Sequence, residues 1–97
     1  VDLIVRPLAE ADIVSAHAWY VEQREPLGAE FLSELARTIE RIQDNPSQFP
    51  DVGGGVRRAL VHRFPYATYF VERVDAVILV AVLHLHRRES TWRNRTE

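Results

Sequence analysis

The sequence predicts an α+β protein in which a helical hairpin covers one face of an antiparallel sheet. Two helical patterns come first and strand-like segments follow, an order typical of α+β rather than doubly wound proteins. Short connections between the later segments favour antiparallel pairing, because a parallel return needs a crossover of a dozen or more residues. The 97 residues match the length of one domain, which we expect to span residues 1–97.

The first half of the chain predicts one short strand and two helices. Its opening Leu-Ile-Val segment is β-like and ends at Pro7, a residue well suited to the first turn of a helix. Apolar residues then recur at helical spacing in two stretches, and a short turn between them makes the pair an antiparallel hairpin. The predicted segments are a strand at 3–6, a helix at 8–23, a turn at 24–28, and a second helix with Phe31, Leu35, Ile39 and Ile42 on one stripe, stopped by Asn45 and Pro46.

The second half predicts strands that follow a connector rich in proline and glycine. β-branched and aromatic residues dominate three segments, which are separated by Pro65 and by a turn at Val74-Asp75. The last segment is apolar at every position from Val77 to Leu83, which is typical of a strand buried on both faces. The glycine triplet of the connector lacks the lysine and the Ser/Thr of a phosphate-binding loop. The predicted segments are a connector at 46–55, strands at 56–64, 66–73 and 76–85, and a polar tail at 87–97.

Composition excludes several classes of site. The chain has no cysteine, which rules out disulfides, thiol catalysis and cysteine-ligated zinc or iron–sulfur centres. No motif for a serine nucleophile, a zinc protease or a carboxylate pair appears, so we expect no cofactor. The longest uncharged apolar run, residues 76–86, is about half the ~20 residues that span a bilayer. No leader-like segment opens the chain, and we expect a cytoplasmic protein that does not enter a membrane.

Arginines in the second half form the first candidate binding surface. Residues 1–51 carry a net charge of −6 and residues 52–97 a net charge of +4, and all twelve basic residues are arginine. Guanidinium groups suit phosphate or carboxylate because their planar fork binds two oxygens at once. If the first and last predicted strands are neighbours, these groups converge at one end of the sheet; otherwise they form a solvated strand face. The set is Arg57, Arg58 and Arg63 on the first strand, with Arg57 and Arg63 on one face, and Arg87, Arg88, Arg93 and Arg95 beyond the last strand.

The first helix provides a second candidate surface, because little of it is polar. Opposite its main stripe lies a row of small and branched apolar residues, and a tryptophan flanks that stripe. Either the second helix fills this seam, or a partner such as an amphipathic helix covers it. The residues concerned are Ala11, Val14, Ala18, Val21 and Trp19.

Histidines in the second half of the chain form a third group of candidate site residues. His84 and His86 point the same way on one strand, and His62 could lie across from them. Three imidazoles can bind zinc, but the spacing gives no reason for them to converge, so we predict no metal site. A histidine near arginines would suit metal-free phosphodiester cleavage, with the imidazole as proton donor or acceptor. The pattern favours packed or surface histidines over either role.

An ordered set of short segments resembles the RelE/ParE toxin superfamily, specifically its ParE branch. The resemblance covers nearly the whole chain. It lies in the order of the segments rather than in any single motif. The segments are Arg6-Pro7, Ala11-Asp12-Ile13, Trp19-Tyr20, Gln23-Arg24, Gly28, Phe31-Leu32, Ile42, Asn45-Pro46, Phe49-Pro50, Val56-Arg57-Arg58-Ala59-Leu60, Arg63-Phe64-Pro65-Tyr66, Tyr69, Val80-Ala81-Val82-Leu83-His84, Arg87 and Trp92.

The resemblance implies the toxin of a type II toxin–antitoxin system. Such a toxin is held inactive by a ParD-like antitoxin that wraps it, forms a hetero-oligomer with that antitoxin, and meets operator DNA only through it. ParE-branch toxins are thought to poison DNA gyrase and so block replication, which implies a binding inhibitor rather than an enzyme. We expect the antitoxin to cover Val14, Ala18, Trp19 and Val21. The implied gyrase-facing residues are Arg57, Arg58, Arg63, Arg87, Arg88 and Trp92.

Two alternatives remain open at this point. RelE-branch relatives cleave messenger RNA on the ribosome with basic strand residues and a tyrosine or histidine near the C-terminus. Here that role would fall to Arg58, Arg63, His84, His86 and Arg87, but the chain has no lysine and its tail has no tyrosine. The tail also departs from the Arg-Asp-Pro expected of ParE relatives, with residues 87–90 reading Arg-Arg-Glu-Ser. The second alternative is an inactive relic of a toxin or a structural binding module.

Overall fold

The computed structural model describes residues 1–86 and 90–95 and has two long helices on one face of a five-stranded sheet. This arrangement confirms the predicted α+β class. Among the described residues, no helix is long and apolar enough to cross a bilayer. The elements are β1 (Asp2–Val5), α1 (Pro7–Gln23), α2 (Glu25–Asp44), β2 (Asp51–Gly53), β3 (Val56–Leu60), β4 (Tyr66–Glu72), β5 (Ala76–His84) and α3 (Ser90–Arg93).

The hairpin connection is shorter than the sequence indicates. A single extended residue, Arg24, joins α1 to α2, and its backbone N–H caps α1 by donating to the carbonyl of Tyr20 at 3.0 Å. The predicted turn at 24–28 is therefore wrong, because Glu25 and Pro26 already form the first turn of α2. A proline there lacks only an N–H that would be unpaired, and an acidic side chain suits the helix N-terminus.

The two helices come into close contact at Gly28 of α2. A Cβ at this position would collide with the Val21 side chain and press on His17 of α1. Glycine therefore lets α1 and α2 approach closely at this point. We considered that either α2 or a partner covers the apolar flank of α1. At Val21, α2 of the same chain covers it.

The sheet has the order β1-β5-β4-β3-β2 and is mixed rather than wholly antiparallel. Strands β2 to β5 pair antiparallel as predicted, whereas β1 runs parallel to β5, with Asp2 opposite Ala76 and Val5 opposite Leu79. The whole of the chain between β1 and β5 forms the crossover, which is long enough for a parallel return. The lengths of the short connections do not predict this pair, because β1 and β5 are far apart in the sequence.

A β-bulge in β5 changes which residues face the helices. Phe70 of β4 pairs with Leu79 and the preceding Tyr69 pairs with Ala81, so Val80 is an extra residue in β5. Leu79 packs in the helix-side core before the bulge, and Val82 does so after it. The bulge thus shifts the alternation by one residue and turns His84 to the helix side, where it lines a groove beside α1.

Both faces of β5 are buried, as the unbroken apolar run predicts. On the helix side, Phe31 packs edge-on against Phe64 with ring centroids 5.4 Å apart. On the other face, Trp92 of α3 stacks on Tyr69 at 5.3 Å and is only 3% exposed. The short C-terminal helix therefore covers part of the face of the sheet that the hairpin leaves open.

Candidate functional site

The outer flank of α1 is an apolar surface that the long helices leave uncovered. Val14 is 62% exposed and Trp19 is 54% exposed, with the exposed Ala18 beside them. Val21, predicted with them to contact an antitoxin, lies instead partly buried in the seam with α2. The structure therefore leaves three of the four predicted residues exposed along α1 and places the fourth against its own chain.

A groove of about 610 Å³ lies next to this flank, between α1 and the C-terminal end of β5. Its floor is formed by β5 and by the loop that joins β3 to β4. One wall is the exposed ring of Trp19, which packs edge-on against Tyr20 at 5.0 Å. The lining residues are Asp12, Ser15, Ala16, Trp19, Tyr20, Pro65, Tyr66, Leu83 and His84.

One edge of β5 is open to this groove, because β1 pairs with β5 only as far as Leu79. The N–H of Val82 donates to the Asp12 carboxylate at 3.0 Å, so it points away from β4. In an antiparallel ladder the C=O of the same residue points the same way, as do the backbone groups of His84 two residues on. An extended peptide in the groove could therefore reach backbone hydrogen-bonding groups of β5 as well as apolar side chains.

Asp12 also ties the C-terminal segment to this region. Its carboxylate accepts from the Arg95 guanidinium at 2.6 Å and 3.3 Å, and Arg95 donates at 3.3 Å to the carbonyl of Val80. The Asp12 and Arg95 side chains are only 13% and 15% exposed, so this is a largely buried ion pair. It joins three elements that are distant in sequence: α1, the bulge of β5 and the segment after α3.

The predicted histidine pair lies at the end of the groove. The rings of His84 and His86 are 4.9 Å apart, and His84 also packs edge-on against Tyr66 at 5.3 Å. β5 ends at His84, so His86 contacts it from the following turn rather than from the same strand, and the exposed His62 has no ring contact with either among the described residues. Across residues 1–86 and 90–95, no cluster of three His, Cys, Asp or Glu side chains could hold a metal ion.

Burial changes the titration of one phenol in this region. Removal from water raises the pKa of Tyr20 above its ordinary value of 10.0, and the neighbouring Tyr66 adds to the shift. Burial disfavours the charged form of a phenol, so Tyr20 stays protonated over the physiological range. It therefore contributes an uncharged ring and a hydroxyl to the groove.

The condition for the arginines of the first and last predicted strands to converge is not met, because β4 lies between β3 and β5. Arg57 faces the helix side, where its guanidinium donates to the carbonyl of Phe49 and lies 3.6 Å from Glu72. Arg58 is exposed on the opposite face of the sheet. β3 ends at Leu60, so strand alternation does not extend to Arg63.

Arg63 lies in the β3–β4 loop with a positive φ of 72° and reaches back to α2. Its guanidinium lies 2.8 Å from Glu30 and 3.7 Å from Glu34. The hydrogen bond to Glu30 is the main cause that raises the pKa of the Arg63 guanidinium above its usual range. Arg57 and Arg63 are thus engaged in bonds within the chain, which leaves Arg58 as the more available of the three.

Other members of the predicted target-binding set are placed differently. Trp92 is buried against Tyr69, so its role in the described structure is to hold α3 on the sheet. Arg93 lies over the Trp92 ring at 4.8 Å. Arg87 and Arg88 lie outside the described residues.

Sequence reasoning missed the polar residues that line the groove. Asp12 was noted only as part of a segment, although a carboxylate on a helix with so little polar surface is a signal that it has a specific partner. The β-bulge in β5 turns His84, rather than Leu83, to the helix side where the groove lies. An apolar run without alternation carries no sign of such a bulge.

Comparisons with known proteins agree with this fold. Residues 3–89 match the model of the family described as the ParE toxin of the type II toxin–antitoxin system parDE. Among solved structures, the chain resembles a chain of the chromosomal ParDE TA system from P. aeruginosa, with a TM-score of 0.76 and 18% identity. The match covers 87% of this chain and 95% of that one, and shows a shared fold. No curated protein sequence matches significantly. Since the family match covers most of its length, the chain belongs to the ParE toxin family of type II toxin–antitoxin systems.

Proposed function

We propose that this chain inhibits DNA gyrase and so DNA replication, and that a ParD-like antitoxin neutralises it by binding the α1 flank and the adjacent groove. Membership of the ParE toxin family supports the toxin role. The observation that carries the antitoxin site is the groove itself, with exposed Trp19 on one side and the open edge of β5 on the other.

The groove fits a peptide segment better than a small ligand. An extended or helical segment could bury Val14 and Trp19, and burying a large apolar side chain contributes about 1.5–3 kcal/mol. An extended segment could also bond the backbone of β5 near His84, so that its register is fixed by hydrogen bonds and its affinity by apolar contacts. The carboxylate of Glu10 flanks this surface and favours a partner with basic residues.

Substitution at Val14 tests the antitoxin site. Val14→Asp should weaken antitoxin binding by at least about tenfold, since a carboxylate buried without a partner costs several kcal/mol. Val74→Asp is the matched control, because Val74 is fully exposed in the β4–β5 turn, far from the groove. Titration calorimetry with the antitoxin encoded beside the toxin gene measures both. Equal affinities for the two variants would place the antitoxin elsewhere.

For the gyrase-facing surface we propose the open face of the sheet around Arg58, together with Arg87 and Arg88, which lie outside the described residues. The Arg58 side chain makes no hydrogen bond or ion pair with another described residue, and the adjoining Leu60 is 53% exposed. A free guanidinium beside an exposed apolar side chain suits a protein target that carries carboxylates.

Charge reversal on this face tests the proposal. Arg58→Glu should raise the concentration of toxin that half-inhibits DNA supercoiling by about tenfold, the effect of ~1.4 kcal/mol. Arg37→Glu changes the same charge on the exposed back of α2 and should leave inhibition as it is. If the two variants inhibit gyrase alike, the open face is not the target surface.

A ribosome-dependent ribonuclease is the second candidate, and one observation favours it: the contact between His84 and His86 at the mouth of the groove. Paired imidazoles could supply a proton donor and a proton acceptor for cleavage. Incubating ribosomes and message with the chain decides the point. Cleavage that is lost in His84→Ala would replace the gyrase proposal, whereas intact message with normal growth on expression would indicate an inactive toxin.

A further inference from the structure

The strand β1 forms one edge of the sheet, and it is unusually apolar for an exposed edge. Among the described strands, β5 alone pairs with it, so its outer side has no strand partner along Asp2–Val5 in this part of the chain. Ile4 is 49% exposed and Leu3 is 36% exposed. Proteins normally protect such an edge with charge, proline or a covering element, because its free backbone groups can pair with another strand.

The hydrogen bonds of β1 show which of its backbone groups are free. The N–H of Asp2 donates to Asp75 and the N–H of Arg6 donates to Leu79, so the even-numbered residues face β5. The backbone groups of Leu3 and Val5 therefore point outward. The carbonyl of Val1 also points outward, and it is already taken by the side-chain amide of Gln43 at 2.9 Å.

We propose that β1 pairs antiparallel with β1 of a second copy of this chain, in the register that places Ile4 opposite Ile4. In this register Leu3 lies opposite Val5 of the other copy, and the two residues exchange N–H···O bonds in both directions. Asp2 lies opposite Arg6 of the other copy, on the same face as the two Ile4 side chains. The five-residue segment is thus complementary to itself in backbone groups, in apolar side chains and in charge.

Charge complementarity supports a second copy of the chain as the partner that pairs with β1. Within each copy, the Asp2 and Arg6 side chains form no ion pair or hydrogen bond with any residue of 1–86 or 90–95. Opposite charges directly across an antiparallel pair stabilise it, and like charges destabilise it. In the dimer, Asp2 of one copy faces Arg6 of the other, and this pair forms twice, once on each side of the two-fold axis.

Neighbouring registers fit less well. Moving the centre to Leu3 places Asp2 opposite Ile4 and brings in Val1, whose carbonyl already has a partner. Moving the centre to Val5 places Leu3 opposite Pro7, which has no N–H to donate. The register centred on Ile4 therefore uses the free groups of the edge and avoids both conflicts.

Such a dimer joins two sheets along a short strand, so it belongs with weak and transient interfaces. It leaves the groove beside α1 and the open face around Arg58 uncovered. The inference is independent of the proposed function, because it concerns a different edge of the molecule and its test needs neither antitoxin nor gyrase.

Sedimentation equilibrium of the purified full chain, up to about 0.5 mM, tests the inference together with charge variants. Asp2→Arg and Arg6→Asp should each weaken dimerisation about tenfold, because each places like charges opposite one another at two points. The double variant Asp2→Arg/Arg6→Asp should restore it. Glu22→Arg, which changes the charge at the far end of α1, should leave it unchanged. Circular dichroism confirms that each variant is folded.

Hydrogen exchange provides a readout at single residues. The N–H groups of Leu3 and Val5 should exchange more slowly as protein concentration rises, whereas that of Ile4, which faces β5, should not change. A chain that stays monomeric throughout overturns the inference, and so does a dimer in which the double variant is not restored. Protection of Leu3 and Val5 only when antitoxin is added would also overturn it, because the edge would then belong to the antitoxin.

Discussion

Replacing Asp12 with alanine should destabilise the fold by about 3 kcal/mol. The substitution leaves the Val82 N–H without its acceptor, which costs about 1–3 kcal/mol for a buried group. It also leaves the Arg95 guanidinium without its counter-ion, and breaking a buried pair costs about 3–5 kcal/mol. Both side chains keep some contact with solvent, at 13% and 15%, which weakens the pair and brings the combined loss below the ~4 kcal/mol sum of the two lower limits.

Urea denaturation of the Asp12→Ala variant measures this loss directly. In a domain of this size, about 3 kcal/mol corresponds to a fall in Tm of about 12–24 °C. Asp12→Asn keeps an oxygen for the Val82 N–H and loses only the charge, so it should cost less. Adding Arg95→Ala completes a double-mutant cycle, in which the two losses should not be additive. A loss below about 1 kcal/mol for Asp12→Ala would refute the role given to this residue.

Three further predictions follow from packing and titration. Gly28→Ala should cost about 1–2 kcal/mol by denaturation, because its Cβ meets the stiff side chain of Val21 and overpacking outweighs the gain in helix propensity. Trp92→Ala should cost about 3 kcal/mol and expose Tyr69, whereas an unchanged Tm would show that α3 is not docked. Tyr20 has a raised pKa in the folded state, so its contribution to stability is present below pH 10.0 and falls as pH rises through the folded value. Tyr20→Phe should reduce that alkaline loss, and identical pH profiles would contradict the assigned burial.

Local patterns predicted the elements well. The apolar spacing over 8–23 corresponds to α1 (Pro7–Gln23), and the predicted stop at Pro46 lies directly beyond the C-cap of α2. The three main strands begin at the predicted residues, and each ends earlier than predicted. Helical period, strand composition and proline position are properties of neighbouring residues, so they can be read from the sequence.

The site itself depended on contacts that sequence spacing does not encode. The parallel β1–β5 pair joins residues more than seventy positions apart, and the Asp12–Arg95 ion pair spans eighty-three. The bulge at Val80 lies within an apolar run that has no alternation to interrupt. Whether the arginines converge depended on whether the first and last predicted strands are neighbours, which strand composition cannot decide; β4 separates β3 from β5.

The most direct test of the proposed function is a supercoiling assay with purified DNA gyrase, the chain and its antitoxin. Supercoiling should fall as the chain is added and recover as the antitoxin is titrated in. With the Val14→Asp variant, which should inhibit normally, recovery should need about tenfold more antitoxin. Supercoiling that stays at its full rate at every concentration of the folded chain would show that gyrase is not the target.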